Sequence, residues 1–156
     1  MYPFSHFLFA LFSGEVFVKL GFLNQDLALL VAVIAVLIDI DHFVFYSFKH
    51  QDWDLKHAWN AAVSGKEEER TFIHHWIGFL IITIVIAGLY FYNFTVFLVL
   101  ALAYYSHMFL DYAHLNVLKI KGIVSEEIDG YVLRIHKYEV LFDVLVLVGI
   151  LWLVYL

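Results

Sequence analysis

The longest apolar stretch of the chain lies between Arg70 and Asp111. Residues 71–110 contain no Asp, Glu, Lys or Arg. As one helix they would rise about 60 Å, which is twice the roughly 30 Å thickness of a bilayer's hydrocarbon core. The stretch therefore predicts two membrane-spanning helices joined by a tight turn. Tyr92-Asn93 is the expected turn, because Asn is polar and accepts the backbone angles of turns.

Three further apolar segments complete the pattern. A second span is predicted over about residues 27–46, and a last span over about residues 139–156. Residues 3–20 form a weaker first span, or a re-entrant or interfacial helix, because a polar interruption breaks their apolar run. That interruption consists of Ser13, Gly14 and Glu15. The expected fold is an all-α, polytopic membrane helix bundle of about five spans, in a single domain over residues 1–156.

Composition supports membrane insertion over a soluble fold. Of the residues, 63% are hydrophobic and 15% are charged, whereas soluble domains have about 45–50% and about 25%. A small soluble domain cannot bury so much apolar surface, and a disordered chain would hold fewer aromatic residues. The absence of cysteine excludes disulfides and thiolate metal sites. A net charge of −6 offers no basic footprint, so nucleic acid is not an expected partner.

The distribution of basic residues predicts the orientation of the spans. Five alternating spans place the 47–71 and 116–138 loops on one side of the membrane. Eight of the nine Lys and Arg residues lie on that side: Lys49, Lys56, Lys66, Arg70, Lys119, Lys121, Arg134 and Lys137. By the positive-inside rule, that side is cytoplasmic. We therefore expect an integral protein of the cell (inner, cytoplasmic) membrane, surrounded by lipid, and its oligomeric state stays open.

Ionisable side chains inside spans require an explanation, since Asp near a helix centre costs about 2.5–3.5 kcal/mol on insertion scales. Such groups stand in or beside the predicted spans at His6, Asp39, Asp41, His42, His74, His75, His107, Asp111, Glu139 and Asp143. In the five-span topology all of them approach the cytoplasmic half. Groups that are scattered along the chain are therefore predicted to meet at one depth.

Helical spacing adds a geometric constraint to two of these groups. At 100° per residue, His107 and Asp111 are separated by about 40° around a helix, and His114 lies between them. These three side chains are expected on one helix face. Asp39 and His42 also share a face.

A divalent metal would explain the convergence of these groups. In a regular helix Asp41 points away from the face of Asp39, unless the helix is distorted there. Imidazole nitrogens and carboxylate oxygens from several helices are the ligands of Zn²⁺ and similar ions. A cation would also offset the burial of the Asp charges. We expect a divalent cofactor, Zn²⁺ first, with one to three ions.

Simpler explanations apply to several of the same residue types. A lone His in a membrane protein is often an interfacial residue or an interhelical hydrogen-bond donor. That is the expectation for His50, His57 and His136. Glu139 and Asp143 could flank a shortened last span. A structural His–Asp hydrogen bond is the alternative for His107 with Asp111.

Four polar elements also follow one another in a recognisable order. They are a His in the first helix, Asp-x-Asp-His, Arg-x-x-x-His and Ser-His-x-x-x-Asp, here His6, Asp39–His42, Arg70–His74 and Ser106–Asp111. In this order the chain resembles the YdjM-like family of membrane-bound metal-dependent hydrolases over about residues 4–115. That family is distantly similar to zinc-dependent phospholipase C and the fungal zinc nucleases.

The resemblance implies metal-ligand roles for part of the polar set: His6, Asp39 or Asp41, His74, His107 and Asp111. The chain departs from the family pattern where Glu69-Arg70-Thr71 replaces His-Arg-Gly, and His75 stands where Ser often follows the His. The soluble relatives also use a late His-x-x-x-Glu, which is missing after His114. Glu139 and Asp143 are candidates to replace it, unless one metal of a cluster is missing.

Our first functional hypothesis is a membrane-embedded metal-dependent hydrolase that acts on a phosphoester, such as a phospholipid or a lipid-linked phosphate. A divalent ion would activate a water and polarise the phosphoryl oxygen. Asp39 or Asp41 would bind metal, and the remaining carboxylate would act as general base. Arg70 would bind phosphate as a bidentate donor.

The alternatives belong to other classes. A small metal-ion or proton transporter would use the same His and Asp side chains as a relay. A transport path needs ionisable groups across the full membrane depth, whereas the outer half holds only Glu15, Lys19 and Asp26. This distribution favours the enzyme. A structural assembly factor, whose His–Asp pairs only hold helices together, is the third hypothesis.

Overall fold

The computed structural model describes residues 2–64, 71–117, 123–128 and 130–155. These residues form seven α-helices and one antiparallel two-stranded hairpin. The helices are α1 (Pro3–Lys19), α2 (Gln25–Leu37), α3 (Ile40–His50), α4 (Leu55–Ser64), α5 (Trp76–Tyr92), α6 (Phe94–Val117) and α7 (Lys137–Tyr155), and the strands are β1 (Ile123–Ile128) and β2 (Tyr131–His136).

The all-α membrane bundle is confirmed, and each predicted span coincides with helix. Among the described residues, three stretches are long and apolar enough to cross a bilayer: Gln25–His50, Phe94–Ala113 and Lys137–Tyr155. Trp76–Tyr92 is a shorter apolar helix. The turn at Asn93 also lies where it was expected, and its side chain accepts a hydrogen bond from the Val96 amide at 3.1 Å.

Helix α1 is the centre of the bundle, since it packs against α2, α6 and α7. Its contact with α2 is built from small side chains. A Cβ on Gly14 would lie 2.9 Å from the Cα of Ala28, so only glycine fits this crossing. Ala10, Ala32 and Ala103 are fully buried in the neighbouring core. Small residues let membrane helices approach closely, where dispersion contacts hold them together.

The second predicted span is interrupted at Ile38-Asp39. The amides of Asp39, Asp41 and His42 each bond to the carbonyl three residues earlier, which is 3₁₀ geometry. The Asp39 amide therefore bonds to Val36 and leaves the Ala35 carbonyl outside the helical ladder. Beyond the break, Asp41 contacts His74, the one residue that is shared by its own group of ligand-type side chains and that of Asp39.

The two long loops meet at one end of the bundle. Asn60 of α4 donates from Nδ2 to the Gly130 carbonyl and accepts from the Val132 amide, both at 2.8 Å. Trp59 donates to the Val132 carbonyl and its ring lies 5.8 Å from that of Tyr2. The two loops were expected on one side of the membrane, whereas α4 and the hairpin were not predicted. We call this the polar end, and the end with Asn93 the turn end.

Candidate metal centre

Four ligand-type side chains converge at the polar end. One nitrogen or oxygen from each of Asp39, His74, His107 and Asp111 lies within 4.8 Å of the others. His107 Nε2 is 3.0 Å from His74 Nε2, 3.2 Å from Asp111 Oδ2 and 3.5 Å from Asp39 Oδ1. The groups come from α6, from the turn before α5 and from the α2–α3 break, so tertiary packing alone brings them together. We call these four residues the His/Asp cluster.

The backbone of α2 orients His107. Its side chain is fully buried, and its Nδ1 lies 2.8 Å from the Ala35 carbonyl oxygen. A carbonyl only accepts, so Nδ1 carries a hydrogen, and a neutral ring would present its lone pair at Nε2. The α2–α3 break makes this possible, because it leaves the Ala35 carbonyl without its usual helical donor.

A second hydrogen-bonded set orients His74 in the same sense. Thr71 Oγ1 donates to Asp41 Oδ2 and lies 2.8 Å from His74 Nδ1. Asp41 Oδ2 is itself 3.2 Å from that nitrogen. Since the single Thr71 hydrogen is given to Asp41, His74 Nδ1 is the donor toward both oxygens. Its Nε2 points toward His107 and lies 3.2 Å from Asp111 Oδ2, and in a neutral ring this nitrogen would carry the lone pair.

With both rings neutral, the cluster consists of acceptor atoms that face one another. Two imidazole lone pairs and two carboxylates repel at these distances unless a cation or proton lies among them. Zn²⁺ takes imidazole nitrogen and carboxylate oxygen in about this number. The residues present therefore fit a divalent cation.

His6 extends the cluster from α1. It is 1% exposed, its Nε2 lies 3.2 Å from Asp111 Oδ1, and its ring stacks on His107 at 4.1 Å between centroids. Within the described residues, neither of its ring nitrogens makes a well-aligned hydrogen bond. A buried polar atom without a partner is costly, and a cation beside Nε2 would satisfy it.

Asp41 and His42 form a smaller group on the other side of His74. One ligand atom from each of these three residues falls within the same 4.8 Å limit, and the His42 ring lies 4.7 Å from that of His74. Asp41 contacts His74 through Nδ1, the nitrogen that faces away from the cluster. Asp41 is therefore placed to orient His74, a proposed metal ligand, rather than to bind the same ion itself.

Other predicted site residues lie elsewhere or are not described. His75 is exposed and accepts a bond from the Ile77 amide at 3.4 Å, as the N-cap of α5. Glu139 and Asp143 contact Ser5 of α1. Arg70 and the side chain of His114 fall outside the described residues.

The residues that support the cluster are not among those predicted from the sequence. Besides Thr71 and the Ala35 carbonyl, the buried Tyr104 hydroxyl donates to the Ile73 carbonyl at 3.1 Å. A Cβ on Gly78 would overlap the Phe72 carbonyl, so glycine is required where α5 begins. A tyrosine and a glycine in apolar helices carry no distinctive signal. Only the fold shows that they fix the 71–75 turn.

Two histidines of the predicted 47–71 loop were expected to lie apart from the site, and they do so, at the end of α3 and in α4. His57 Nδ1 pairs with Asp52 Oδ2 at 2.7 Å in an exposed position. That hydrogen bond raises the pKa of His57 and lowers the pKa of Asp52. The His50 ring lies against Tyr46 at 4.6 Å.

Comparison with known proteins agrees with the resemblance. The family model described as YdjM inner membrane protein matches residues 1–120. The chain therefore belongs to this family of inner membrane proteins. The match includes α1 to α6 and every residue of the His/Asp cluster, and it ends before the hairpin and α7. A search of curated proteins and a search of solved structures found no match.

Proposed function

We propose that this inner membrane protein is a metal-dependent hydrolase of phosphoesters. The observation that supports it is the convergence of acceptor atoms from Asp39, His74, His107 and Asp111, with His6 beside them. These residues would hold one divalent cation, with Zn²⁺ the best chemical match. Bound there, the ion would supply Lewis acidity and would lower the pKa of a water.

The chain's own residues divide into holding, orienting and proton-transfer roles. Asp41 and Thr71 keep His74 in the tautomer that presents Nε2, and the Ala35 carbonyl does the same for His107. Asp39 has the longest contact to His107 in the cluster, 3.5 Å, and its side chain is partly exposed. With His6 as the fourth ligand in its place, Asp39 is the candidate for a general base. Arg70 stays the candidate for donating hydrogen bonds to the phosphate group.

The bilayer and a neighbouring groove favour a phosphoester that is attached to a lipid. A groove of about 460 Å³ lies between α1 and α6, lined largely by aromatic and aliphatic side chains. Its lining includes Phe9, which stacks on Phe109 at 5.7 Å and lies about one helical turn from His6. The volume is in the range of ligand pockets. One acyl chain suits it.

We also propose that the polar end faces the cytoplasm, because eight of the nine basic residues belong to that side. A cysteine in the 47–64 region should react with thiol reagents from the cytoplasm, and one at Asn93 from outside only. The reverse labelling would place the site on the other face of the membrane.

Metal analysis and hydrolysis assays test the enzyme proposal together. Protein purified into lipid nanodiscs should contain about one Zn²⁺ and should hydrolyse a generic phosphodiester or a short-chain phospholipid. A chelator should remove both properties, and added Zn²⁺ should restore them. A folded wild-type protein that binds no divalent metal would contradict the proposal.

The transporter alternative is less well supported by the core of the bundle. A relay would have to connect the cluster with Glu15, which is buried toward the turn end and accepts a bond from Gln25 at 3.1 Å. The described core between them is apolar and includes Ala10, Val31 and Ala103. Zinc or proton flux into proteoliposomes, without hydrolysis, would favour transport.

A further inference from the structure

The last helix contacts the first turn of α1 through one buried carboxylate. Glu139 of α7 is 3% exposed. Its Oε1 accepts a hydrogen bond from the Tyr2 amide at 2.7 Å and another from the Ser5 hydroxyl at 2.9 Å. These two bonds join residues more than 130 positions apart in the chain. Glu139 therefore links the first turn of α7 to the first turn of α1.

The Glu139 carboxylate provides α1 with an N-terminal cap that its own residues do not provide. Tyr2 is the N-cap residue of α1, and its own side chain makes no capping hydrogen bond. The first amides of a helix have no partner within the helix, and the helix dipole makes that end favourable for a negative charge. Glu139 provides both an acceptor and a negative charge, from a different helix.

Asp143 offers a matched comparison with Glu139. It lies four residues further along α7, and its Oδ2 is 3.1 Å from the same Ser5 hydroxyl. A hydroxyl has one hydrogen and can donate to only one of the two carboxylates. Glu139 accepts from a backbone amide as well, and no such bond to Asp143 is found within the described residues. We therefore expect Glu139 to stabilise the contact between α1 and α7 more than Asp143 does.

The position of His6 depends on this first turn. Ser5 precedes His6 in α1, and both are almost fully buried. The His6 ring stacks on His107 and approaches Asp111, so a small rotation of the turn would withdraw Nε2 from the cluster. Glu139 itself belongs to neither group of converging ligand atoms.

We infer that Glu139 is a positioning residue, which fixes the first turn of α1 and thereby holds His6 at the metal centre. This inference rests on the proposed metal centre. It also replaces the sequence-based hypothesis that Glu139 substitutes for a missing ligand. Because α7 lies beyond the matched residues 1–120, membership of the family says nothing about this role.

Zn²⁺ affinity of the full chain in nanodiscs, measured by chelator competition, tests the inference. Glu139→Ala should weaken binding about tenfold or more, as the loss of an orienting partner does. Glu139→Gln should recover most of that loss, because its amide oxygen still accepts the Tyr2 hydrogen. Asp143→Ala should change affinity much less. If Gln is as damaging as Ala, or Asp143→Ala as damaging as Glu139→Ala, the positioning role is wrong.

Hydrogen exchange provides a readout without metal. In the metal-free protein, Glu139→Ala should speed exchange of the amides at residues 5–9 while α5 keeps its protection. Ser5→Ala, which removes one of the two bonds, should give a smaller change of the same kind. If wild type binds no Zn²⁺, the proposed function fails, yet the exchange data still decide whether Glu139 fixes α1. Unchanged exchange in both variants would overturn the inference.

Discussion

Two His–Asp contacts in this chain combine the same residue types in opposite surroundings. His57 of α4 and Asp52 just before that helix are 2.7 Å apart, with side chains 58% and 35% exposed; we call them the loop pair, after the predicted 47–71 loop. His107 and Asp111 are 3.2 Å apart in the bundle, with side chains 0% and 22% exposed. The shorter contact is not the better candidate site. Water reaches both members of the loop pair, whereas the buried pair meets further ligand-type side chains from other segments.

The comparison shows that a site depends on convergence and burial rather than on the pair itself. In water, His57 and Asp52 can each exchange their partner for solvent at little cost. In the bundle, His107 has lost that option, and its two nitrogens are each directed by a neighbour. A cation is therefore expected to bind beside His107 and Asp111 and not beside His57 and Asp52.

Removing a histidine from each contact should produce the largest difference. His107→Ala deletes a proposed ligand, so Zn²⁺ affinity should fall by more than the roughly 10–100-fold that an orienting partner is worth. His57→Ala should leave affinity unchanged. The measurement is metal content after gel filtration, together with chelator competition. Equal metal content in the two variants would place the cation outside the cluster.

Neutralising one carboxylate from each region should give the next largest effect. Asp41→Asn weakens the acceptor that orients His74 Nδ1, so we expect Zn²⁺ affinity to fall about tenfold. Thr71→Val should act in the same direction. Asp52→Asn is the matched control and should have no effect. A melt with added Zn²⁺ should show less stabilisation of Asp41→Asn than of wild type, because weaker binding stabilises the fold less.

An opposite result for Asp41→Asn would be informative. Asn inserts into an apolar span more easily than Asp. If the variant is more stable than wild type both with Zn²⁺ and with chelator, Asp41 does not serve a metal site. The orienting role of Asp41 should then be dropped.

A smaller effect on stability and Zn²⁺ affinity is expected when the hydrogen bond that supports the 71–75 turn is removed. Tyr104→Phe removes the hydrogen bond to the Ile73 carbonyl, and a buried hydrogen bond is worth about 0.5–1.5 kcal/mol. The free energy of unfolding should fall by that amount, with a modest loss of Zn²⁺ affinity. Tyr105→Phe, on the adjacent and more exposed ring, is the control. Equal effects of the two variants would mean that the turn does not depend on this bond.

The sequence predicted the elements better than it predicted their contacts. The run without charges over 71–110 requires two helices and a turn, because bilayer thickness limits how far one helix extends. The His and Asp candidates could be named because an ionisable group in a span needs a reason. The role of Asp41 could not be predicted, since it depends on the 3₁₀ break at Ile38-Asp39, where no Pro or Gly signals an interruption.

Support from distant residues was equally hard to predict. The Ala35 carbonyl is a backbone group, so no side-chain pattern marks it. Glu139 was expected near the cluster, because one depth in the membrane was the only available constraint. In the structure it bonds to Tyr2 and Ser5 instead. Depth can be inferred from span order, whereas the direction of a side chain around its helix depends on which helices are neighbours.

The smallest expected effect concerns the pH dependence of the loop pair. The pKa of His57 is raised above its ordinary 6.5, so any stability from its charged form is present below pH 6.5 and is lost as pH rises through the raised value. The pKa of Asp52 is lowered from its ordinary 3.8, so its contribution is present above that pH and is lost on acidification through the lowered value. The pair should therefore contribute mainly between about pH 3.8 and 6.5.

That contribution should also decrease with added salt, because both groups are exposed. NMR titration of the His57 ring in wild type and in Asp52→Asn measures it, and the variant should titrate closer to the ordinary value. Zn²⁺ affinity should be the same in both proteins at every pH tested. If Asp52→Asn changes the pH dependence of Zn²⁺ binding, the loop pair and the cluster are coupled. The His57–Asp52 pair would then not be independent of the metal site.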